Sequence, residues 1–420
     1  MTSLEVHGGS PVRGRLAVPG DKSISHRALL LGALAEGTST VEGLSTGADV
    51  AATAAAVAAL GAEFDGAHIT GGRDRLRRPA ATVDVGNSGT TLRLLAGLCA
   101  PFPWEVTLDG DDSIRRRPMD RVAEPLRRMG AVVDGDRAPL VVRGGDLRGI
   151  DYALPVASAQ VKGAVLLAGL GAEGETVVRE RVPTRAHSEE MLAACGADLD
   201  VSADGLVTRL RPGKLEPFRL VVPGDPSQAA FWVVAACIVP GSEVTVERVY
   251  VGRARAAFVE VLRRMGADVE VRLRDATTAD IVARAGDLHG TTVRGDEIPG
   301  LIDEIPVLAV AAAVADGPTT FADAAELAVK ETDRIAAVTG ELAALGAAVE
   351  ARPDGLVVAG GARLHGAAVS SRGDHRMAMA LAVAALAARG PTRIDGWDAV
   401  ATSYPGFAAD LHRLCPGAGR

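Results

Sequence analysis

The chain has 420 residues, more than a single core usually organises, so two domains or one large repeated architecture are expected. Hydrophobic residues make up 48% of it but aromatics only 3%, which leaves the core to Ala, Val and Leu. A net charge of -8 gives no general attraction for nucleic acid or an anionic membrane, so any basic site must be local.

Cys99, Cys195, Cys237 and Cys415 lie far apart in apolar segments with no metal-ligand spacing, the pattern of buried thiols in a reducing cytoplasm. No basic start leads into an apolar stretch at the N-terminus. The apolar helices run only about 12 to 15 residues before Gly or charge, too short for a membrane span.

In chain order, two kinds of helix alternate. One kind is apolar on nearly all sides, as interior helices are: SHRALLLGALAEG, TTLRLLAGLCA, QVKGAVLLAGLGAEG, SQAAFWVVAACIVPG, EIPVLAVAAAVADG and HRMAMALAVAALAARG. The other kind carries charge on one face (DRVAEPLRRMG, ARAAFVEVLRRMG, DRIAAVTGELAALG) and belongs outside. Each outer helix ends on a Gly-Ala step that opens a strand. The glycines Gly61, Gly130, Gly196, Gly266 and Gly346 recur at spacings of 69, 66, 70 and 80, and each fits a left-handed helix C-cap. RLCPGA near the C-terminus reads as a degenerate sixth copy. Six units of strand, inner helix, strand, outer helix and strands follow, three before about residue 220 and three after.

Short polar motifs open the inner helices: GDKSISHR, GNSGTTLR, ASAQVKG, GDPSQ, IDEIP and GDHRM. A helix start presents free N–H groups and about half a positive charge, so it attracts anions. Six converging starts would hold strongly anionic small molecules. The chain has one Asn, two Gln and four Lys among its 45 basic residues, and all but Lys214 fall in short polar motifs: Asn87, Gln160, Gln228, Lys22 and Lys162 in those above and Lys330 in VKETDR. Where Lys was kept, a compact, titratable ammonium is required that a guanidinium cannot imitate.

The motifs PGDKSISHRALLLGAL, GNSGTTLR, RRRPMDR, VKETDRI and GDHRMAMA, in that order, resemble those of the 5-enolpyruvylshikimate-3-phosphate (EPSP) synthases, and the resemblance covers nearly the full chain. It implies an α/β fold, a two-domain inside-out α/β barrel in which each domain has three βαβαββ units with buried parallel helices. Residues 19–223 would form one domain and 1–18 with 224–420 the other, with the active site in the cleft between. It also implies transfer of the enolpyruvyl group of phosphoenolpyruvate to the 5-hydroxyl of shikimate 3-phosphate, with release of phosphate and without metal or organic cofactor. The protein would be a cytoplasmic monomer whose partners are those two small molecules, with no nucleic acid and no membrane.

The same resemblance assigns residues. Lys22 would contact phosphoenolpyruvate and help move a proton, with Ser23 and Arg27 holding the shikimate carboxylate and ring. Ser158, Ala159 and Gln160 match the loop for the 3-phosphate, joined by Arg185, and Lys330 binds on the shikimate side. Asn87, Gly89, Arg117, Gln160, Arg334, His375 and Arg376 match phosphoenolpyruvate contacts, a task that suits bidentate guanidinium. Asp303 would be the general base that also touches shikimate 3-phosphate, with Glu331 a second proton carrier. Glu304 remains an alternative base, since either acid of the pair could instead cap the helix that follows. Glu331 and Arg334, three apart, could form an ordinary helix ion pair. His26 is read as packing or capping, and Arg115 and Arg116 as a solvated turn.

Three departures stand out. Ala159 replaces a serine of the usual phosphate loop, Thr402 and Ser403 stand where many members have a lysine before the aromatic-Pro pair, and Glu326 or Leu327 replaces an asparagine. The nearest alternative is UDP-N-acetylglucosamine enolpyruvyl transferase, whose mobile loop carries a reactive cysteine; GDDSIRRRPMD offers Asp112 and no thiol. An RNA 3'-phosphate cyclase would need a basic surface. GDKS is not a P-loop end, because residue 15 is Arg where Gly is needed. A repeat scaffold without chemistry would have no reason to place titratable residues at matching positions.

Overall fold

The computed structural model describes residues 2–418. The chain divides into two compact units, Gly20–Val222 and a discontinuous unit of Met1–Pro19 with Pro223–Arg420.

In the Gly20–Val222 unit the repeat is plainest in the middle. Strand Val83–Asp84 leads into inner helix Gly89–Cys99 and then to a parallel strand, Glu105–Asp109. Outer helix Asp120–Met129 follows, and strands Val132–Asp134 and Leu140–Arg143 complete a four-stranded sheet by antiparallel pairing. The next repeat has the same order, with inner helix Ala159–Gly169 and outer helix His187–Ala194. In the first repeat, inner helix Lys22–Leu34 precedes strand Gly37–Glu42, whose parallel partner is Arg219–Val221, from the far end of the unit's sequence.

The other unit closes in the reciprocal way. Arg13–Ala17 supplies the parallel partner of Glu243–Tyr250 in the fourth repeat. Its inner helices are Pro226–Ile238, Ile305–Val314 and His375–Ala387. The predicted sixth Gly-Ala step does not form. Helix Phe407–Leu414 ends at Cys415 with Pro416 next, Gly417 is not left-handed, and the sixth sheet is completed by Ser3–His7 pairing antiparallel with Pro391–Asp395. A proline after the cap cannot carry a strand hydrogen bond, and the N-terminal strand takes that edge.

The five other predicted C-cap glycines are left-handed, with φ of 104, 111, 78, 93 and 94° in order. The inner helices are buried almost throughout; in the fourth, every residue from Pro226 to Cys237 is. Small side chains let them pack closely. A Cβ on Gly97 would lie 2.2 Å from the Ala164 carbonyl oxygen, so only glycine lets the second and third inner helices approach as they do. The burial of Leu, Val and Ile on these helices contributes about 1.5–3 kcal/mol per side chain and is what places their first turns rigidly.

Candidate active site

Within Gly20–Val222 the three inner helix starts meet. Asp21, Ser88 and Ser158 cap them, accepting from the N–H groups of Ile24, Thr91 and Val161. Gln160, on the third helix, donates to Thr90 Oγ1 on the second at 2.8 Å. Arg27, on the first, donates from Nη2 to the Ala159 carbonyl at 3.3 Å, from Nη1 to the Ser23 carbonyl at 3.0 Å and from Nε to Ser188 Oγ at 2.8 Å. Lys22 Nζ sits 2.7 Å from Asp49 Oδ2.

Around Gly89 the arrangement is cationic. Arg117, buried, donates to Asn87 Oδ1 at 3.0 Å, while Asn87 Nδ2 donates to Asp111 at 2.6 Å. A Cβ on Gly89 would meet Arg117 Nη1 and Arg93 Nη1, each at 2.9 Å. Arg93 also donates to Gln160 Oε1 at 2.8 Å and to the Pro118 carbonyl at 3.2 Å. Its part was not read from the sequence, although a position four beyond Gly89 on a helix leans back over the helix start. Arg185 lies between strand Thr176–Arg179 and helix His187–Ala194, partly buried.

His26 packs as expected. It is fully buried, bonds Thr53 Oγ1 through Nδ1 at 2.6 Å, and Thr53 continues to Thr91 on the second inner helix at 2.6 Å. Burial, with Lys22 and Arg27 adding to it, holds its pKa well below the usual value, so it stays neutral. Arg115 and Arg116 are exposed but close a short helix, Asp112–Arg116, rather than a turn; Asp111 caps it and Arg115 pairs with Asp109.

In the other unit the inner helix starts also converge, through carboxylates. Asp225 caps the fourth inner helix and takes Arg255 Nη2 at 2.6 Å; Arg255 reaches Ser227 Oγ at 3.0 Å, and Ser227 donates to Glu304 at the start of the fifth. Asp374 caps the sixth and takes Arg334 Nε at 2.8 Å. Arg334 Nη2 donates to Glu331 at 2.7 Å, and its Nη1 to Asp303 Oδ1 at 3.3 Å. Arg376 Nη2 lies 3.5 Å from Asp303 Oδ2. His375 is buried beside it at the helix start.

These contacts separate the two acids of the pair. Glu304 is buried and locked to Ser227 and Arg255, and its side chain does not cap its helix. Asp303 is partly exposed, with Arg334 Nη1 3.3 Å and Arg376 Nη2 3.5 Å from its carboxylate oxygens. The Glu331–Arg334 ion pair forms, but Glu331 precedes the helix, which Asp333 caps. Burial alone would lower the Arg334 pKa, yet the carboxylates of Asp374, Glu331 and Asp303 outweigh it and raise the value. For partly buried Lys330 burial prevails and lowers the pKa, with Asp303 opposing it. Thr402 ends a 3-10 helix; two residues on, Tyr404 packs on Trp232 of the fourth inner helix and accepts its indole N–H at 3.3 Å.

All four cysteines are buried, and burial pushes the Cys195 and Cys237 thiols up to about 12. None is a thiolate nucleophile. Asp112, where the alternative transferase has its cysteine, is exposed.

Residues 6–411 match the family model described as EPSP synthase (3-phosphoshikimate 1-carboxyvinyltransferase). The chain is similar to the 3-phosphoshikimate 1-carboxyvinyltransferase of Gloeobacter violaceus, 52% identical over 417 residues and covering 96% of both chains. It is 50% identical to that of Synechococcus sp. (strain JA-3-3Ab) over 419 residues, covering 96% of this chain and 94% of the relative. Among solved structures, the EPSP synthase of Acinetobacter baumannii superposes with a TM-score of 0.87 at 39% identity, covering 99% of this chain and 98% of that one. The enolpyruvyl transferase NikO from Streptomyces tendae shares the fold, with a TM-score of 0.80 at 21% identity over 99% of this chain and 97% of that one. The described residues hold no helix long and apolar enough to cross a membrane. On this full-length match and the inside-out α/β architecture that accompanies it, the chain belongs to the EPSP synthase (3-phosphoshikimate 1-carboxyvinyltransferase) family.

Proposed function

We infer that this chain transfers the enolpyruvyl group of phosphoenolpyruvate to the 5-hydroxyl of shikimate 3-phosphate, releasing phosphate, in the route to chorismate and the aromatic amino acids. The observation that carries it is Asp303, a partly exposed carboxylate between the guanidinium groups of Arg334 and Arg376. A base flanked by two rigid forks suits a reaction in which a hydroxyl is deprotonated beside a doubly anionic donor.

Both helix-start clusters act on this pair of substrates. Shikimate 3-phosphate is held by Ser23 and Arg27 at its carboxylate and ring, by Ser158, the Ala159 turn, Gln160 and Arg185 at its phosphate, and by Lys330. Ala159 offers one hydroxyl fewer than a serine would, so Arg185 carries more of that task. Phosphoenolpyruvate is held by Lys22, Arg117, Arg334 and Arg376, with Asn87, Gln160 and His375 at the edges. The missing side chain of Gly89 lets the donor approach the first turn of the second inner helix. Where bound substrate excludes water, each of these contacts is strengthened.

Asp303 takes the proton of the 5-hydroxyl as its oxygen attacks C2 of phosphoenolpyruvate. Lys22 and Glu331 supply the proton that turns the methylene into a methyl group. The tetrahedral intermediate then loses a proton from that methyl as the C2–O bond to phosphate breaks, which restores the double bond and frees phosphate. Asp49, 2.7 Å from Lys22 Nζ, holds the lysine in place as it gives up its proton and takes back the one lost from the methyl group.

The purified chain should release phosphate from phosphoenolpyruvate with shikimate 3-phosphate and not with UDP-N-acetylglucosamine. Release with the sugar nucleotide alone would overturn the assignment. The enzyme acts as a cytoplasmic monomer in this proposal, and sedimentation at working concentration tests that state.

A further inference from the structure

One buried polar centre takes no part in the scheme above. Lys162 lies on the third inner helix, four residues beyond its cap Ser158, and its Nζ donates to Glu180 Oε2 at 2.7 Å and to Glu189 Oε1 at 2.6 Å. The three side chains are exposed by only 1, 2 and 4%. Thr184 donates to the other Glu180 oxygen. The second oxygen of Glu189, Oε2, is buried with no hydrogen-bond partner among the described residues.

Stability does not explain this centre. Two carboxylates share one ammonium, and a buried ion cluster of this kind is often no more stabilising than apolar side chains of the same shape. Its connections do explain it. Glu180 and Thr184 lie in the segment that leads to Arg185. Glu189 is next to Ser188, which takes Arg27 Nε at 2.8 Å. The packing is tight at this point, since a Cβ on Gly163, the neighbour of Lys162, would meet Ser188 Oγ at 2.8 Å and Arg27 Nη2 at 3.4 Å. Lys162 therefore ties the helix that presents Ser158, Ala159 and Gln160 to the two segments that present Arg185 and orient Arg27.

We propose that Lys162, through Glu180 and Glu189, is a positioning residue for shikimate 3-phosphate, setting the distance between the groups that hold its phosphate and those that hold its carboxylate. The inference rests on the transferase assignment made above. An arginine could not replace it, because a planar fork cannot fit between two carboxylates set for a point charge.

The test is the triple variant K162M/E180Q/E189Q, which removes all three charges at nearly constant volume, compared with the intact enzyme. Its dissociation constant for shikimate 3-phosphate, read by calorimetry without phosphoenolpyruvate, should rise on the order of ten- to hundredfold, as for a ligand group misplaced by about 1 Å. The KM for phosphoenolpyruvate at saturating shikimate 3-phosphate and the kcat should stay within about twofold. An unchanged dissociation constant, or a loss of kcat alone, would overturn the proposal. Should the triple variant fail to fold, Thr184→Val removes one hydrogen bond and no charge, and wild-type affinity there would overturn it equally. Failure of the unaltered enzyme to bind shikimate 3-phosphate would instead refute the assignment of function.

Discussion

Gly89→Ala isolates the part played by the second inner helix start. The new Cβ would lie 2.9 Å from both Arg117 Nη1 and Arg93 Nη1, too close for either to stay in place. Both contacts are to the far ends of flexible side chains rather than to backbone, so the guanidinium groups move and the helix does not. The fold should lose less than about 0.5 kcal/mol, as for a substitution that strains no backbone. Function should lose more. Hydrogen bonds to charged groups contribute about 1.5–3 kcal/mol each, so displacing Arg117 from phosphoenolpyruvate should lower kcat/KM for that substrate roughly 10- to 150-fold. Arg93 also holds Gln160, so a smaller rise in KM for shikimate 3-phosphate should accompany it. Steady-state kinetics with each substrate varied, together with urea unfolding, separates the two effects. Unchanged KM for phosphoenolpyruvate would refute the placement of Gly89 and Arg117 at the donor, as would equal losses for both substrates together with a destabilised fold.

Lys22→Met should keep the fold while cutting kcat by on the order of 10²-fold or more, the usual cost of losing a positioned proton-transfer group; near-normal turnover would remove Lys22 from the chemistry. Asp303→Ala and Glu304→Ala should diverge. The first lowers kcat by about 10²- to 10⁴-fold with little change in unfolding free energy, while the second leaves buried Arg255 without one of its carboxylates and costs about 3–5 kcal/mol of stability. Equal loss of activity at equal stability would return Glu304 to candidacy as the base. The buried His26 sets a pH dependence. Its pKa is held below the ordinary 6.5, so the unfolded chain takes up a proton near that pH which the folded chain refuses. Its stability is full above 6.5 and falls as the pH drops through it, by up to about 1.4 kcal/mol per pH unit. His26→Asn should lose that slope between about pH 7 and pH 5 in denaturant titrations; an identical slope in both proteins would contradict it.

Helix type and repeat were legible in the sequence because each rests on local physics. An inner helix is apolar all round, most outer ones carry charge on one face, and a left-handed glycine closes the outer helix, as Gly61, Gly130, Gly196, Gly266 and Gly346 do; Ala48–Ala59, whose one charge Asp49 is buried, is the exception in charge. The sixth repeat misled, since the strand that completes it, Ser3–His7, comes from the other end of the chain and no local pattern announces it. The motif residues lie where helix starts were expected, but their partners did not show. Asp49 beside Lys22, Arg255 beside Glu304 and Glu180 beside Lys162 sit 27, 49 and 18 residues away, and only the packed fold brings them into range. That Glu304 is buried while Asp303 is partly exposed was hidden too, since adjacent acids look alike in a sequence.

Proton NMR of the reaction in heavy water gives the sharpest test of enolpyruvyl transfer, because addition followed by elimination must pass through a methyl group. With phosphoenolpyruvate and shikimate 3-phosphate, the enzyme should produce new enol ether signals whose methylene carries solvent deuterium, with one phosphate released per product. Absence of the enol ether, or an enol ether whose methylene stays free of deuterium over many turnovers, would contradict the account.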